Sequence, residues 1–175
     1  MLPWKIIIVG ALLGFLVSAC NTVPSPPLDE ADPTMRCNGF EALCARPLNE
    51  VAFAATHNSM SNEDAGWWEP NQQHGLTKQM EDGIRGMLLD SYEVDGELWL
   101  CHGFCELGGQ PLAEGLGEIR DFLVSHPHEV MILFFQDAVG SERMSQAITD
   151  AELGALVYTH GYDGPFPTLG EMILA

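Results

Sequence analysis

The stretch "GMLLDSYEVDGELWLC", Gly86 to Cys101, decides how this chain is read. Met87, Leu88 and Leu89 follow one another without a polar break, so Gly86 to Val94 reads as a strand apolar on both faces rather than a half-buried one. Asp95-Gly96 then supplies a two-residue turn dipeptide, and the chain returns through a second extended piece, Glu97 to Cys101. Working outward, Glu50 to Ala55 reads as a buried strand and Leu76 to Asp82 as a short helix. On the other side Leu112, Leu116, Ile119 and Leu123 fall at helical spacing across Leu112 to Ser125, and Pro127 marks the stop. Val130 to Phe135 is an uninterrupted apolar strand, Ser141 to Leu153 a helix, and Thr168 to Ala175 the start of another.

Strands alternating with helices, and apolar on both faces, predict an α/β fold: a parallel sheet covered by helices. Residues 37–175 fall short of the about 250 residues of a complete eight-stranded barrel. The expectation is the first half of a TIM-type (β/α) barrel, incomplete at its C-terminus, with an open sheet as the alternative.

The ends of the sequence carry a different message. "MLPWKIIIVGALLGFLVSAC" has a lone Lys5, an apolar run from Ile6 to Val17 and small residues before Cys20. That layout is a secretory signal over residues 1–19, and the apolar run is shorter than the about 20 residues of a membrane span. Val17-Ser18-Ala19-Cys20 resembles a bacterial lipobox, which implies cleavage before Cys20, a lipid on its thiol, and an exported protein held to a membrane by that lipid. An uncleaved anchor is the alternative. Residues 20–36 are rich in proline, small residues and acids and read as a flexible tether.

Export leaves Cys37, Cys44, Cys101 and Cys105 as an even set in an oxidising compartment. Four cysteines allow three pairings; Cys37 with Cys44 and Cys101 with Cys105 close the smallest loops and are favoured over a zinc site. The balance of 25 acids against 7 lysines and arginines gives a formal charge of -18. Nucleic acid is therefore excluded as a partner, because neutralising phosphates takes basic residues that are scarce here.

Chemistry collects where the extended segments stop. His57 and Asn58 follow the first strand, Asp90 and Tyr92 lie within the second, His102 closes the piece after the turn, and Gln136 and Asp137 follow the Val130 strand. Strand ends of α/β folds converge on one face, so distant residues can share a pocket. Two imidazoles there suit general acid-base chemistry: one takes a proton from a nucleophile and the other gives one to a leaving group. Phosphodiester cleavage uses such a pair, and Asn58 with Asp90 offers oxygens for a divalent cation. Each residue alone also has a simpler role in satisfying a turn.

Together "EVAFAATHNSM", "GIRGMLLDSYE", "LWLCHGFCELG" and "FLVSHPHEVMILFFQD" resemble the X region of the phosphatidylinositol-specific phospholipase C superfamily, across 37–175. The resemblance implies a phosphodiesterase acting on a phospholipid or a glycerol or inositol phosphodiester. By motif, His57 is the general base and His102 the acid that protonates the departing alcohol. Of four expected calcium ligands Asn58 and Asp90 match, while Leu88 and Gln136 do not, so calcium or another divalent cation is weakly held or absent. Arg85 and Gln136 are the candidates for contacting substrate, although an arginine at the start of a strand is commonly a packed, paired one. His126 and His128 read as caps of a helix end, His74 as a loop histidine, and Trp67 and Trp68 as the rim of a pocket. The competing readings are a non-catalytic surface lipoprotein that keeps the fold, or a truncated, inactive fragment.

Overall fold

The structure, a computed structural model, describes residues 5–9, 35–161 and 163–175. The signal, the lipid site Cys20 and most of the tether fall outside the described residues, apart from the backbone of 5–9. No helix among the described residues is long and apolar enough to cross a membrane.

Six strands form one mixed sheet: β1 (Lys5–Val9), β2 (Ala55–Thr56), β3 (Gly86–Val94), β4 (Glu97–Cys101), β5 (Gly109–Pro111) and β6 (Val130–Asp137). The order is β1-β6-β3-β4-β5, with β2 paired to β3 as well. The pairs β1–β6, β3–β6 and β2–β3 are parallel, whereas β3–β4 and β4–β5 are antiparallel. This corrects the expectation of a TIM-type half-barrel of parallel strands covered by helices. The physical reason lies in Asp95-Gly96. Both residues adopt positive φ, 51° and 89°, the geometry that closes a two-residue antiparallel hairpin between Val94 and Glu97.

Apolarity on both faces, which suggested helices on both sides, has another cause. Met87 and Leu89 of β3 and Met131 and Leu133 of β6 share one face, and they are buried with Leu76 and Met80 of α2 (Leu76–Glu81) and Leu116, Ile119 and Leu123 of α3 (Leu112–Ser125). Met144 and Ile148 of α4 (Ser141–Asp150) extend the same core. On the opposite face Val130 and Ile132 pack in a smaller core with Met35, Cys37, Leu48 and the buried residues of α5 (Leu169–Leu174). Above that second core the face carries Leu88 and Asp90 on β3 and Phe134 and Gln136 on β6, which are register partners. The mismatch in character along one face, greasy below and polar above, positions the site.

The first strand is also shorter than expected. A 3-10 turn takes Leu48–Glu50, and only Ala55–Thr56 joins the ladder. A one-turn helix, α1 (Glu41–Cys44), precedes it and is closed onto the chain by the Cys37–Cys44 disulfide. The second bridge is Cys101–Cys105, so the described structure has both pairings favoured from the loop lengths.

Candidate active site

The edge of β3 opposite β6 is shared between two strands that arrive from opposite directions. β2 runs parallel to β3 and stops with Thr56 opposite Met87. β4 runs antiparallel, starts opposite Val94 and reaches Leu100 opposite Ser91. Both pairs lie on the side of β3 away from β6, because Gly86 and Ser91 each also pair with β6. The C-terminal ends of β2 and β4 therefore point toward each other across the segment Leu88 to Asp90. His57 follows one end and His102 the other.

Ser59 fills the gap in the ladder. Its backbone N–H donates to Leu88 O at 2.9 Å, and Leu88 N–H donates to Ser59 Oγ at 3.1 Å. Ser59 Oγ–H donates in turn to Thr56 O at 2.9 Å, tightening the turn that contains His57 and Asn58. Asn58 sits in the left-handed region at φ 51°, which asparagine tolerates better than most residues. Gln79 on α2 holds the turn from below, with Nε2 donating to Ser59 O at 2.7 Å and to His74 O at 2.6 Å. The polar run after β2 is thus both a strand-end turn and the carrier of an imidazole.

Asp90 is 6% exposed, with His57 and His102 both within electrostatic reach. Burial pushes its carboxyl above the ordinary carboxylate range, and the His102 and His57 imidazoles, both close enough to act on it electrostatically, partly offset the rise. Both imidazoles are exposed. One buried carboxylate flanked by two solvent-facing imidazoles is an arrangement able to move protons on and off a ligand held above the sheet.

The donor set for a cation is sparse. Asp90 supplies one carboxylate and Asn58 one amide oxygen, its Nδ2 being used in a bond to Asn71 Oδ1 at 3.2 Å. Gln136, the register partner of Asp90, adds a neutral amide, and Leu88 adds nothing. Among the described residues no group of three or more His, Cys, Asp or Glu side chains is placed to hold a metal. Calcium takes about six to eight oxygens, several of them anionic, and these residues do not make such a cage.

Arg85 stands five residues before Asp90, at the start of β3. Its Nε donates to Glu129 at 2.6 Å, its Nη1 donates to Met80 O at 2.6 Å and Ile84 O at 2.9 Å, and its guanidinium lies 4.8 Å from the Phe122 ring centre. His126 caps α3 as expected, with Nδ1 2.9 Å from Phe122 O and its ring stacked on Phe122. His74 pairs with Asp64 at 2.9 Å.

Beside His102 opens a cleft of about 440 Å³, lined by Trp67, Trp68, Glu69, Asn71 and Phe104 among others. The loop after β4 is tied to the loop after β2. Trp68 N–H donates to Leu107 O at 2.8 Å. The Trp67 ring packs on Gly108, where a Cβ would fall 2.5 Å from Trp67 Cγ and the backbone holds φ 152°, so only glycine fits. Ser59, Glu69, Asn71 and Phe104 are participants that motif reading passed over. The available signal was their position in the two loops that carry His57 and His102.

The family described as "PI-PLC X 1" matches residues 43–175. An uncharacterized secreted protein of Arthroderma benhamiae is 32% identical over 149 residues, 81% of this chain and 34% of that protein. A PI-PLC X domain-containing protein of Arabidopsis thaliana is 31% identical over 61% of this chain and 26% of its own length. PI-PLC X domain-containing protein 3 of Danio rerio is 30% identical over 67% of this chain and 34% of its own length. The chain thus spans roughly a third or less of each of these relatives.

Proposed function

Because the chain belongs to the PI-PLC X family, we propose that it is an exported phosphodiesterase of phospholipase C type that works by paired imidazoles. The observation that carries this reading is the meeting of two strand ends beside Asp90, which brings His57 and His102 to one place from 45 residues apart in the chain. His57 takes the proton of the attacking hydroxyl as the new P–O bond forms. His102, as the imidazolium, gives its proton to the alcohol oxygen as the old P–O bond breaks. Gln136 is the neutral donor available to the phosphoryl oxygens on the β6 side. Substrates are phospholipids or glycerol or inositol phosphodiesters. A panel of such diesters tests the reading, and a folded protein that turns over none of them overturns it.

The sparse oxygen set favours turnover without a tightly held cation. EDTA is expected to leave kcat unchanged, and added CaCl2 to leave the melting temperature unchanged. A calcium-dependent rise in either, lost in Asp90→Asn, would instead mark a working cation site.

Export is supported by the two disulfides and by the secreted relative. Lipid attachment at Cys20 is the finer part of the proposal. Cys20→Ser is expected to move the protein from the membrane fraction to the soluble one. An unchanged membrane fraction in that variant would rule the anchor out.

One observation favours a second reading. Leu88 and Gln136 stand without charge where the resemblance expects acids, which suits a surface protein that binds a phosphodiester and does not cleave it. Binding of a substrate diester with no turnover, with and without calcium, would select this reading.

A further inference from the structure

The cleft beside His102 differs in character from the site above Asp90. Its lining, which His102 itself joins at one side, combines the rings of Trp67, Trp68 and Phe104 with the carboxylate of Glu69, and contains no lysine or arginine. Trp68 and Phe104 are 63% and 71% exposed, large aromatic surfaces to leave in water. Trp67 is 8% exposed and is seated on Gly108, so one wall of the cleft is fixed. Glu69 holds φ 46°, a conformation disfavoured for a residue with a Cβ and one that concentrates at ligand-binding sites. Asn71, also in the lining, accepts from Asn58 Nδ2 and so connects the cleft to the turn that carries His57.

We propose that this cleft holds the quaternary ammonium group of a choline-type ester. A cation without N–H donors is recognised by aromatic faces and a nearby carboxylate, both present here. A second anionic group, such as an inositol phosphate would bring, is recognised by arginine or lysine, and none lines the cleft. The charge of the chain works in the same direction: at -18 it draws a cationic group in and repels a polyanionic one. The proposal rests on the phosphodiesterase reading for one point only, that the phosphorus sits at the imidazoles while one of its ester alcohols occupies the cleft.

Direct binding by the full chain tests it, with choline chloride as the probe and tryptophan fluorescence and calorimetry as readouts. Saturable choline binding is expected, with no binding of myo-inositol 1,4-bisphosphate, which brings a second anionic group, at the same concentrations. Glu69→Gln and Trp68→Ala should each weaken choline binding between about twofold and thirtyfold. Both side chains are exposed, so circular dichroism and melting should match the parent and exclude unfolding. The proposal is overturned by unsaturable choline titrations, by choline affinity unchanged in both variants, or by an uncharged alkyl alcohol competing as well as tetramethylammonium. Because binding is read without turnover, the two ideas fail separately. Hydrolysis of inositol diesters with no choline binding removes the cleft assignment alone, and choline binding with no hydrolysis of any diester removes the catalytic reading alone.

Discussion

His57→Ala and His102→Ala are each expected to lower kcat for phosphodiester hydrolysis by about 10² to 10⁴, the contribution of one positioned acid or base. Neither side chain is part of a core, and both are exposed, so the melting temperature should stay with the parent protein. The double variant should fall little below the worse single one, because a base without its acid has already lost the concerted proton transfer. Retained turnover in either folded variant would remove the acid-base assignment while leaving the fold untouched. A matched loss in both, with substrate still bound, is the result that one proton-transfer couple requires.

Arg85→Ala should show the reverse pattern: a large loss of stability and little change in kcat or KM for the folded fraction. The Arg85 and Glu129 side chains are 15% and 14% exposed, and the guanidinium also serves the carbonyls of Met80 and Ile84 and lies over Phe122. One side chain thereby joins the end of α2, the start of β3, α3 and the residue before β6. Removing it strands a mostly buried Glu129 carboxylate, at a cost of about 3 kcal/mol. For a chain of this length that is a fall of about 6 to 12 °C in Tm. Replacing both partners, as Arg85→Met with Glu129→Leu, should recover most of the loss, since the stranded charge disappears with its partner. A fall in kcat/KM with an unchanged melting curve would instead mean that Arg85 reaches the phosphate.

Sequence reasoning reached particular parts of this molecule and missed others for identifiable causes. The Asp95-Gly96 turn was legible because its two residues are those that tolerate positive φ. Its consequence was not drawn, because Met87, Leu88 and Leu89 in a row resemble a strand sandwiched between helices. In the structure Leu88 faces the polar site, and the second core below it is built by Met35, Leu48 and α5, residues far away in the chain. Periodicity reports that a face is apolar, and it does not report what covers it. His57 and His102 were legible as residue types in a motif, but their meeting depends on β2 stopping opposite Met87 and β4 stopping near Ser91. Register of this kind is set by long-range pairing. Arg85 illustrates a third limit: its neighbours Glu129 and Phe122 lie dozens of residues on, so its partners could not be read from its position.

The head-on approach of β2 and β4 makes the machinery intolerant of length change at one spot. Each residue advances a strand by about 3.3 Å and reverses the side on which its side chains stand. Adding or removing a single residue between Val94 and Glu97 would slide His102 along β3, away from its place near Asp90, even with every side chain of the site still present. Insertions at the exposed residues 163–166, beyond the sheet's working edge, carry no such penalty. Divergence within this lineage should therefore accumulate as indels there, while the two-residue reversal keeps its length.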